Sequence, residues 1–419
     1  MIDHQLSRRE FVALAGAGLV AASGVAPAQS PQRVFAYVGS WTQGPFGVGG
    51  GGGISVFSVN LDDGSLEPVS RTGPEYDNMN AGYLCFSPDG RTLYATNEIA
   101  NLNGELGAGG GILSFSIEPD DGSITHMNTQ PSMGVNPAYV TIDATGSHVL
   151  TSNHGSYNMA VTVVERDGVA EIQRVFDDGT VSIYPVRPDG TLAPASDVAV
   201  LERIGGVDPL SQLNPHAHSV NFDPGNRFVL VCDKGADRVY VFEVDLSSGT
   251  LSEPAFVSSA PGSAPRHSVF HPRLPYAFVI LERIPGVMSL NFDADTGEIS
   301  EIHTVSTLPD DFEGRNTCAD IRVHPNGRFV YGSNRGHDSI AIFALDESTG
   351  RLSMTGLVPT EGATPRNFNF DPSGRYVFVC NQGSDSVVTF EADPDDGTLT
   401  PVGNVADVLK PACIKFLAV

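Results

Sequence analysis

The chain has 419 residues, of which 41% are hydrophobic, and it carries a formal net charge of −25 at pH 7. Nucleic acid and anionic membrane surfaces repel such a polyanion, so the sequence excludes both as partners. The 46 glycines and 29 prolines, with few stretches of helical periodicity, indicate an all-β fold with many turns.

The first 28 residues are predicted to be an export signal and not part of the fold. Arg8 and Arg9 precede a weakly hydrophobic run at residues 13–25, and residues 26–28 offer a small-residue cleavage site. A twin arginine before such a run resembles a Tat signal, and the run is too short for a stable membrane span. We therefore expect residues 29–419 to act in the periplasm or outside the cell, with no membrane segment.

A unit of two strands joined by a tight turn recurs along the chain, for example at residues 83–98, 219–233 and 368–381. Each copy leads into a glycine-containing turn, usually acidic, that suits a tight hairpin because glycine accepts a positive φ. Seven such turns occur, at residues 62–66, 120–124, 188–192, 247–251, 295–299, 348–352 and 395–399. Four strands repeated seven times, about 50 residues apart, predict a seven-bladed β-propeller over residues 29–419.

The two ends of the repeat predict how the ring closes. Residues 34–38 run to a loop and then to residues 53–58, so the first unit lacks an inner strand. Residues 412–416 form an unpaired apolar strand at the other end of the chain, and we expect them to complete the first blade and remove an open edge. Residues 159–177 interrupt the third unit as an insertion to which the sequence assigns no role.

The cysteines, Cys85, Cys232, Cys318, Cys380 and Cys413, are scattered along the chain. Their number is odd and they lack the Cys-x-x-Cys spacing of zinc sites, so neither a disulfide framework nor a metal site is predicted. We expect buried free thiols. Nothing in the sequence calls for a cofactor.

Polar side chains gather at one end of the predicted hairpins. An inner strand and its neighbour are antiparallel, so the start of the first and the end of the second lie at the same mouth of the propeller. Glu98, His154 and Lys234 are among the residues placed there. The candidate catalytic residues at this mouth are His216, His218, Arg266, Glu282 and Arg322. The candidate substrate-binding residues are Asn153, Asp233, His267, Asn334, Arg335 and Arg366.

These residue types suit acyl chemistry. Arginine binds carboxylates through two hydrogen bonds and stabilises a developing oxyanion, and histidine can activate water or transfer a proton. Structural roles compete with these functions, because Asn153 and Asn334 would also shape turns and Asp233 would also cap loop amides.

Residues 97–116, 215–219, 265–267, 320–322 and 333–338 resemble the lactonase family of seven-bladed propellers. That family includes the propeller-type 6-phosphogluconolactonases and the fungal carboxy-muconate cyclases, and the resemblance extends over the mature chain. It implies a metal-independent site of one histidine, two arginines and a glutamate. The matching positions are His216 or His218, Arg266, Glu282, and Arg322 with Arg335 as the alternative.

Hydrolysis of a small, sugar-type lactone is therefore the leading hypothesis, with arginines on the carbonyl and a His/Glu pair delivering water. Export favours an unphosphorylated lactone or another cyclic ester over a cytosolic phosphorylated one. Two alternatives stay open: a cycloisomerase of the muconate type, and a non-catalytic propeller that binds a ligand or a protein. The chain is expected to be a monomer that acts on a small lactone or carboxylate.

Overall fold

The computed structural model describes residues 33–42 and 51–419, which form seven antiparallel sheets of four or five strands, one separate two-stranded sheet, and two short 3-10 helices, Pro74–Tyr76 and Leu102–Gly104. The predicted export signal lies outside the described residues. Within those residues, no helix is long and apolar enough to cross a membrane.

The strands, numbered in chain order, group into seven blades around a central channel. Blade 1 contains β1 (Val34–Ser40), β2 (Ile54–Val59), β3 (Leu66–Arg71) and, from the other end of the chain, β31 (Pro411–Ala418). Blade 2 contains β4 (Leu84–Phe86), β5 (Thr92–Asn97), β6 (Gly111–Ile117) and β7 (Ile124–Pro131). Blade 3 contains β8 (Pro137–Ile142), β9 (His148–Asn153), β12 (Thr180–Pro185) and β13 (Asp197–Val200), and a separate hairpin is formed by β10 (Met159–Arg166) and β11 (Val169–Phe176).

The remaining four blades follow the same order from the channel outwards. Blade 4 contains β14 (Ala217–Phe222), β15 (Phe228–Asp233), β16 (Arg238–Asp245), β17 (Thr250–Leu251) and β18 (Ala255–Ser258). Blade 5 contains β19 (Pro265–Phe270), β20 (Tyr276–Leu281), β21 (Gly286–Phe292) and β22 (Ile299–Ser306). Blade 6 contains β23 (Thr317–Val323), β24 (Phe329–Arg335), β25 (Ser339–Asp346) and β26 (Arg351–Pro359). Blade 7 contains β27 (Pro365–Phe370), β28 (Tyr376–Asn381), β29 (Ser386–Ala392) and β30 (Leu399–Asp407).

The glycines of the predicted turns have a second use in packing the blades together. All seven adopt a positive φ: Gly64, Gly122, Gly190, Gly249, Gly297, Gly350 and Gly397. At Gly122, in blade 2, a Cβ atom would lie 2.7 Å from the ring of Phe35 in blade 1, and the Tyr37 hydroxyl donates to the Gly122 carbonyl at 2.8 Å. The turn therefore needs glycine both for its backbone conformation and for the close approach of the neighbouring blade.

The last strand closes the ring, as the sequence predicts. β31 pairs antiparallel with β1 from Val34↔Ala418 to Gly39↔Cys413, and it also contacts the inner strands β4 and β27 on either side. Its residues Pro411–Ile414 are buried. The innermost strand of blade 1 thus comes from the C-terminal end of the chain, which removes the open edge that β1 would otherwise present.

The insertion at residues 159–177 forms the β10–β11 hairpin, which pairs with no other sheet among the described residues. Its apolar side chains are largely in solvent; Val163 and Ile172 are 71% and 74% exposed. The hairpin leaves and rejoins blade 3 beside residues 154–158, which line the cavity described next.

Candidate active site

Two equivalent positions in the blades supply the side chains at one mouth of the channel. The first is a β-bulge near the start of the inner strands, where the pairing register skips one residue. The skipped residue is His218 in blade 4, Arg266 in blade 5 and Arg366 in blade 7. At the bulge of blade 5 the side chain of Arg266 lines the cavity, and the next residue, His267, is buried and bonded to Asp320.

The second position is the last residue of the second strand of a blade or the residue directly after it. It is occupied in blades 2 to 6 by Glu98, His154, Lys234, Glu282 and Arg335. All of these residues line one cavity of about 1060 Å³. Among the predicted site residues, this cavity brings together His218, Arg266, Glu282, Arg335 and Arg366.

Glu282 lies at the centre of a cluster of cations. Its Oε2 atom is 2.7 Å from Lys234 Nζ and 3.4 Å from Arg266 Nε, and its Oε1 atom is 3.0 Å from Arg335 Nη2. Burial by itself would raise the pKa of Glu282, but the three cations together hold that pKa well below its ordinary value. Glu282 is therefore ionised and serves as the counter-ion that keeps three cations at one place.

Arg266 is the most deeply buried of these cations, with 1% of its surface exposed. Burial, together with the charges of Arg335 and Arg366, lowers the pKa of Arg266 to about 9, so the guanidinium remains protonated at neutral pH. Its Nη1 atom donates to the Ala319 carbonyl. Within the described residues Nη2 has no hydrogen-bond partner, so it is free to bind an oxygen atom of a ligand in the cavity.

A second buried carboxylate, Glu98, has different surroundings. Its Oε2 atom accepts a hydrogen bond from the Trp41 indole at 3.0 Å and lies 3.8 Å from Arg366 Nη2. The Arg366 guanidinium in turn stacks 3.8 Å above the Trp41 ring. Burial raises the pKa of Glu98, and these contacts offset only part of that effect. The two largely buried carboxylates that line the cavity, Glu98 and Glu282, therefore differ in proton affinity.

Four histidines lie together behind and beside the cavity. The rings of His154 and His216 stack with centroids 4.5 Å apart, and those of His218 and His267 are 5.1 Å apart. Burial is the main cause that lowers their pKa values, to about 4 for His216 and about 3 for His267. These imidazoles are therefore neutral near pH 7.

The buried histidines predict a loss of stability in mild acid. The pKa of His216 is about 4 in the folded protein and 6.5 when unperturbed, so the unfolded chain binds the proton first as the pH falls. The contribution of His216 is complete above pH 6.5 and is lost as the pH falls through about 4. We expect His216→Asn, which retains a donor for the His154 carbonyl, to flatten the dependence of the unfolding free energy on pH by up to ~1.4 kcal/mol per pH unit. Urea unfolding between pH 7 and 4.5 measures this slope, and equal slopes in the two proteins would contradict the prediction.

The structure does not bring Arg322 to the cavity. β23 begins at Thr317, so Arg322 lies well inside the strand, opposite Tyr331. Its Nη2 atom is 2.9 Å from Asp320 Oδ2 and 3.1 Å from the hydroxyl of Tyr83. Because the sequence shows where an inner strand ends more clearly than where it starts, Arg322 was placed too near the mouth. Its catalytic role stays a prediction.

The other predicted site residues are buried and bonded to the protein. His216 donates from Nδ1 to the His154 carbonyl, and Asp233 accepts from the amides of His216, Gly235 and Ala236. Asn153 donates to the Ser132 carbonyl, Asn334 to the Thr307 carbonyl, and the ring of His267 is bonded to Asp320. They support the cavity wall from behind, and their part in substrate binding stays a prediction.

Glu98, His154 and Lys234 were placed at this mouth by the sequence but were not among the candidate site residues. Their position in the repeat could have identified them, because each follows the second strand of its blade, as Glu282 does in blade 5. The five cysteines are all free. Across residues 33–42 and 51–419, no group of three His, Cys, Asp or Glu side chains is arranged to hold a metal ion.

Seven blades around a channel, with a charged cavity at one mouth, define a β-propeller with an axial site. The chain belongs to the lactonase family of seven-bladed β-propellers, whose model matches residues 35–416. It is 33% identical over 389 residues to a 6-phosphogluconolactonase of Bacillus subtilis strain 168, covering 92% of this chain and 99% of the relative. A 6-phosphogluconolactonase of Formosa agariphila is 31% identical over 344 residues, covering 80% of this chain and 86% of the relative. The solved periplasmic gluconolactonase of Pseudomonas aeruginosa superposes with a TM-score of 0.78 at 29% identity, covering 92% of this chain and 99% of that one.

Proposed function

We propose that the chain is a lactonase that opens a small sugar-type lactone in the cavity at the mouth of the propeller. Membership of the lactonase family, and relatives named 6-phosphogluconolactonase and gluconolactonase, support this reaction. The observation that carries the proposal is the group of largely buried cations, Lys234, Arg266, Arg335 and Arg366, lining one cavity of a chain whose net charge is −25. Such a group has no evident use for stability and suits a ligand that is, or becomes, an anion.

The cations match the charge that develops during lactone hydrolysis. Attack of water on the lactone carbonyl produces a tetrahedral oxyanion, which the free Nη2 of Arg266 can stabilise. The product is a hydroxy acid, whose carboxylate suits the same arginines. The reaction also needs a group that accepts a proton from water, and the largely buried candidates on the cavity wall are His154, His218, Glu282 and Glu98.

We further propose that the mature chain acts outside the cytoplasm on a lactone without phosphate. The twin arginine at Arg8 and Arg9 supports export, and a relative of known structure is named a periplasmic gluconolactonase.

A substrate panel tests the proposal. Residues 29–419 would be assayed by acid release on gluconolactone and on its 6-phosphate, each against the spontaneous rate without protein. We expect turnover of both classes of sugar lactone to be measurable and the unphosphorylated lactone to give the higher kcat/KM. Preference for the phosphate ester would contradict the assigned substrate, and failure to exceed the spontaneous rate on every lactone would contradict the function.

A further inference from the structure

We propose that Glu98 is the catalytic residue that accepts the proton of the attacking water and returns it to the leaving ring oxygen. The inference rests on the proposed lactone hydrolysis and assigns the step that the cation cluster does not perform.

The backbone of blade 2 makes room for this carboxylate. In blade 5 the bulge residue Arg266 comes two residues before Ser268, which pairs with Val279. In blade 2 the equivalent pair is Leu84 and Ala95, so Gly82 occupies the bulge position. A Cβ atom on Gly82 would lie 2.4 Å from Glu98 Oε2. Where blades 4, 5 and 7 carry a large side chain, blade 2 therefore carries none, and the Glu98 carboxylate fills that space.

The contacts of Glu98 fix one oxygen and leave the other. Trp41 holds Oε2 at 3.0 Å, and Arg366, stacked on Trp41, approaches the same atom to 3.8 Å. Within the described residues Oε1 has no hydrogen-bond partner. Glu98 lines the cavity and is only 5% exposed, so its second oxygen is available to a water molecule or ligand in the cavity.

The other three candidates are poor proton acceptors for electrostatic reasons. Glu282 is bound to three cations, and protonating it would leave all three uncompensated. His154 and His218 are buried near Lys234, and their pKa values lie well below the ordinary value because burial and then neighbouring groups oppose protonation. Glu98 contacts only one cation, and burial raises its pKa, so its surroundings favour acceptance of a proton.

The step balances with water as the only co-reactant. The water oxygen bonds to the lactone carbonyl carbon while Glu98 Oε1 takes one water proton, and Arg266 stabilises the oxyanion. The intermediate then collapses, the bond between the carbonyl carbon and the ring oxygen breaks, and the Glu98 carboxylic acid protonates that oxygen. Glu98 ends as a carboxylate, and the hydroxy-acid product releases its own proton to solvent.

The test compares Glu98→Gln with the unchanged protein. Glutamine keeps the shape and the bond to Trp41 but cannot accept the proton, so we expect kcat to fall by ~10²–10⁴-fold with KM changed by a few-fold. The acid limb of the kcat/KM profile, with a midpoint above the ordinary glutamate value, should disappear in the variant. Glu391→Gln is the matched control, because Glu391 forms an exposed ion pair with Arg375 and should be silent.

A binding measurement separates a role in proton transfer from a structural role. Trp41 is the only tryptophan of the chain and touches both Glu98 and Arg366, so its fluorescence reports on this part of the cavity. We expect gluconate to change the emission of Glu98→Gln with a Kd within a few-fold of the unchanged protein. Two results would overturn this inference alone, provided that the unchanged protein is active. In the first, Glu98→Gln retains more than a tenth of the kcat of the unchanged protein; in the second, it loses gluconate binding. An unchanged protein without lactonase activity overturns the proposed function as well.

Discussion

Replacing Arg266 by methionine is expected to remove most of the lactonase activity while leaving the protein at least as stable as before. Arg266 Nη2 is a free donor in the cavity, and loss of one oxyanion donor lowers kcat by ~10²–10³-fold. Stability should behave differently, because burial and the charges of Arg335 and Arg366 lower the pKa of Arg266 to about 9. A cation whose pKa is depressed by folding destabilises the folded state. Its replacement leaves no unpaired buried charge, because Glu282 keeps Lys234 and Arg335 as counter-ions.

Turnover of gluconolactone and the thermal melting temperature measure the two effects on the same protein sample. Arg375→Met is the matched control, because Arg375 is an exposed arginine in an ion pair with Glu391 and should change neither quantity. If Arg266→Met keeps its activity, Arg266 has no part in the mechanism. If the variant melts far below the unchanged protein, Arg266 contributes to the fold and its loss of activity is not diagnostic.

Removal of residues 411–419 is expected to abolish the cooperative unfolding transition. These residues form β31, the inner strand of blade 1, in which Ala412, Cys413 and Ile414 are almost completely buried. Loss of a single large core side chain typically costs ~2–5 kcal/mol, and a whole domain is stable by only ~5–15 kcal/mol. Deletion of β31 removes an entire buried strand, exposes the edge of β1 and leaves a gap between β4 and β27. The expected loss of unfolding free energy therefore exceeds the stability of the domain.

Deletion of the β10–β11 hairpin is expected to have the opposite result, with little change in the melting temperature. Residues 159–176 are about twice as many as residues 411–419, but they pair only with each other and their side chains are mostly exposed. A chain in which a short glycine linker replaces this hairpin should melt close to the unchanged protein. Differential scanning calorimetry compares the two deletions, and a normal transition after loss of residues 411–419 would show that the ring does not depend on its closing strand.

The architecture was predictable because it depends on local and repeated features. The sequence contains seven glycine turns, an apolar strand pattern between them and an unpaired strand after residue 411. Backbone conformation and the need to bury both faces of each sheet convert these features into a closed ring of blades. The structure confirms the positive φ at the turn glycines and the pairing of β31 with β1. The mouth at which Arg266 and Glu282 meet was predictable for the same reason, because antiparallel pairing alone places both residues at one end.

The composition of the site depended on details that strand periodicity does not contain. The bulges at His218, Arg266 and Arg366 add one residue to each inner strand, and Arg322 lies farther along the channel than a count from the sequence suggested. The sequence also did not show which charges pair with each other. Only the folded ring brings Lys234, Arg266 and Arg335 from three blades into contact with Glu282. It likewise brings Trp41 and Arg366 into contact with Glu98.

The sequence by itself thus determined the seven-bladed ring and the end that carries the site, because both follow from contacts between residues close in the chain. Which carboxylate is neutralised and which remains a base was decided by tertiary structure, because proton affinity depends on charges contributed by distant blades.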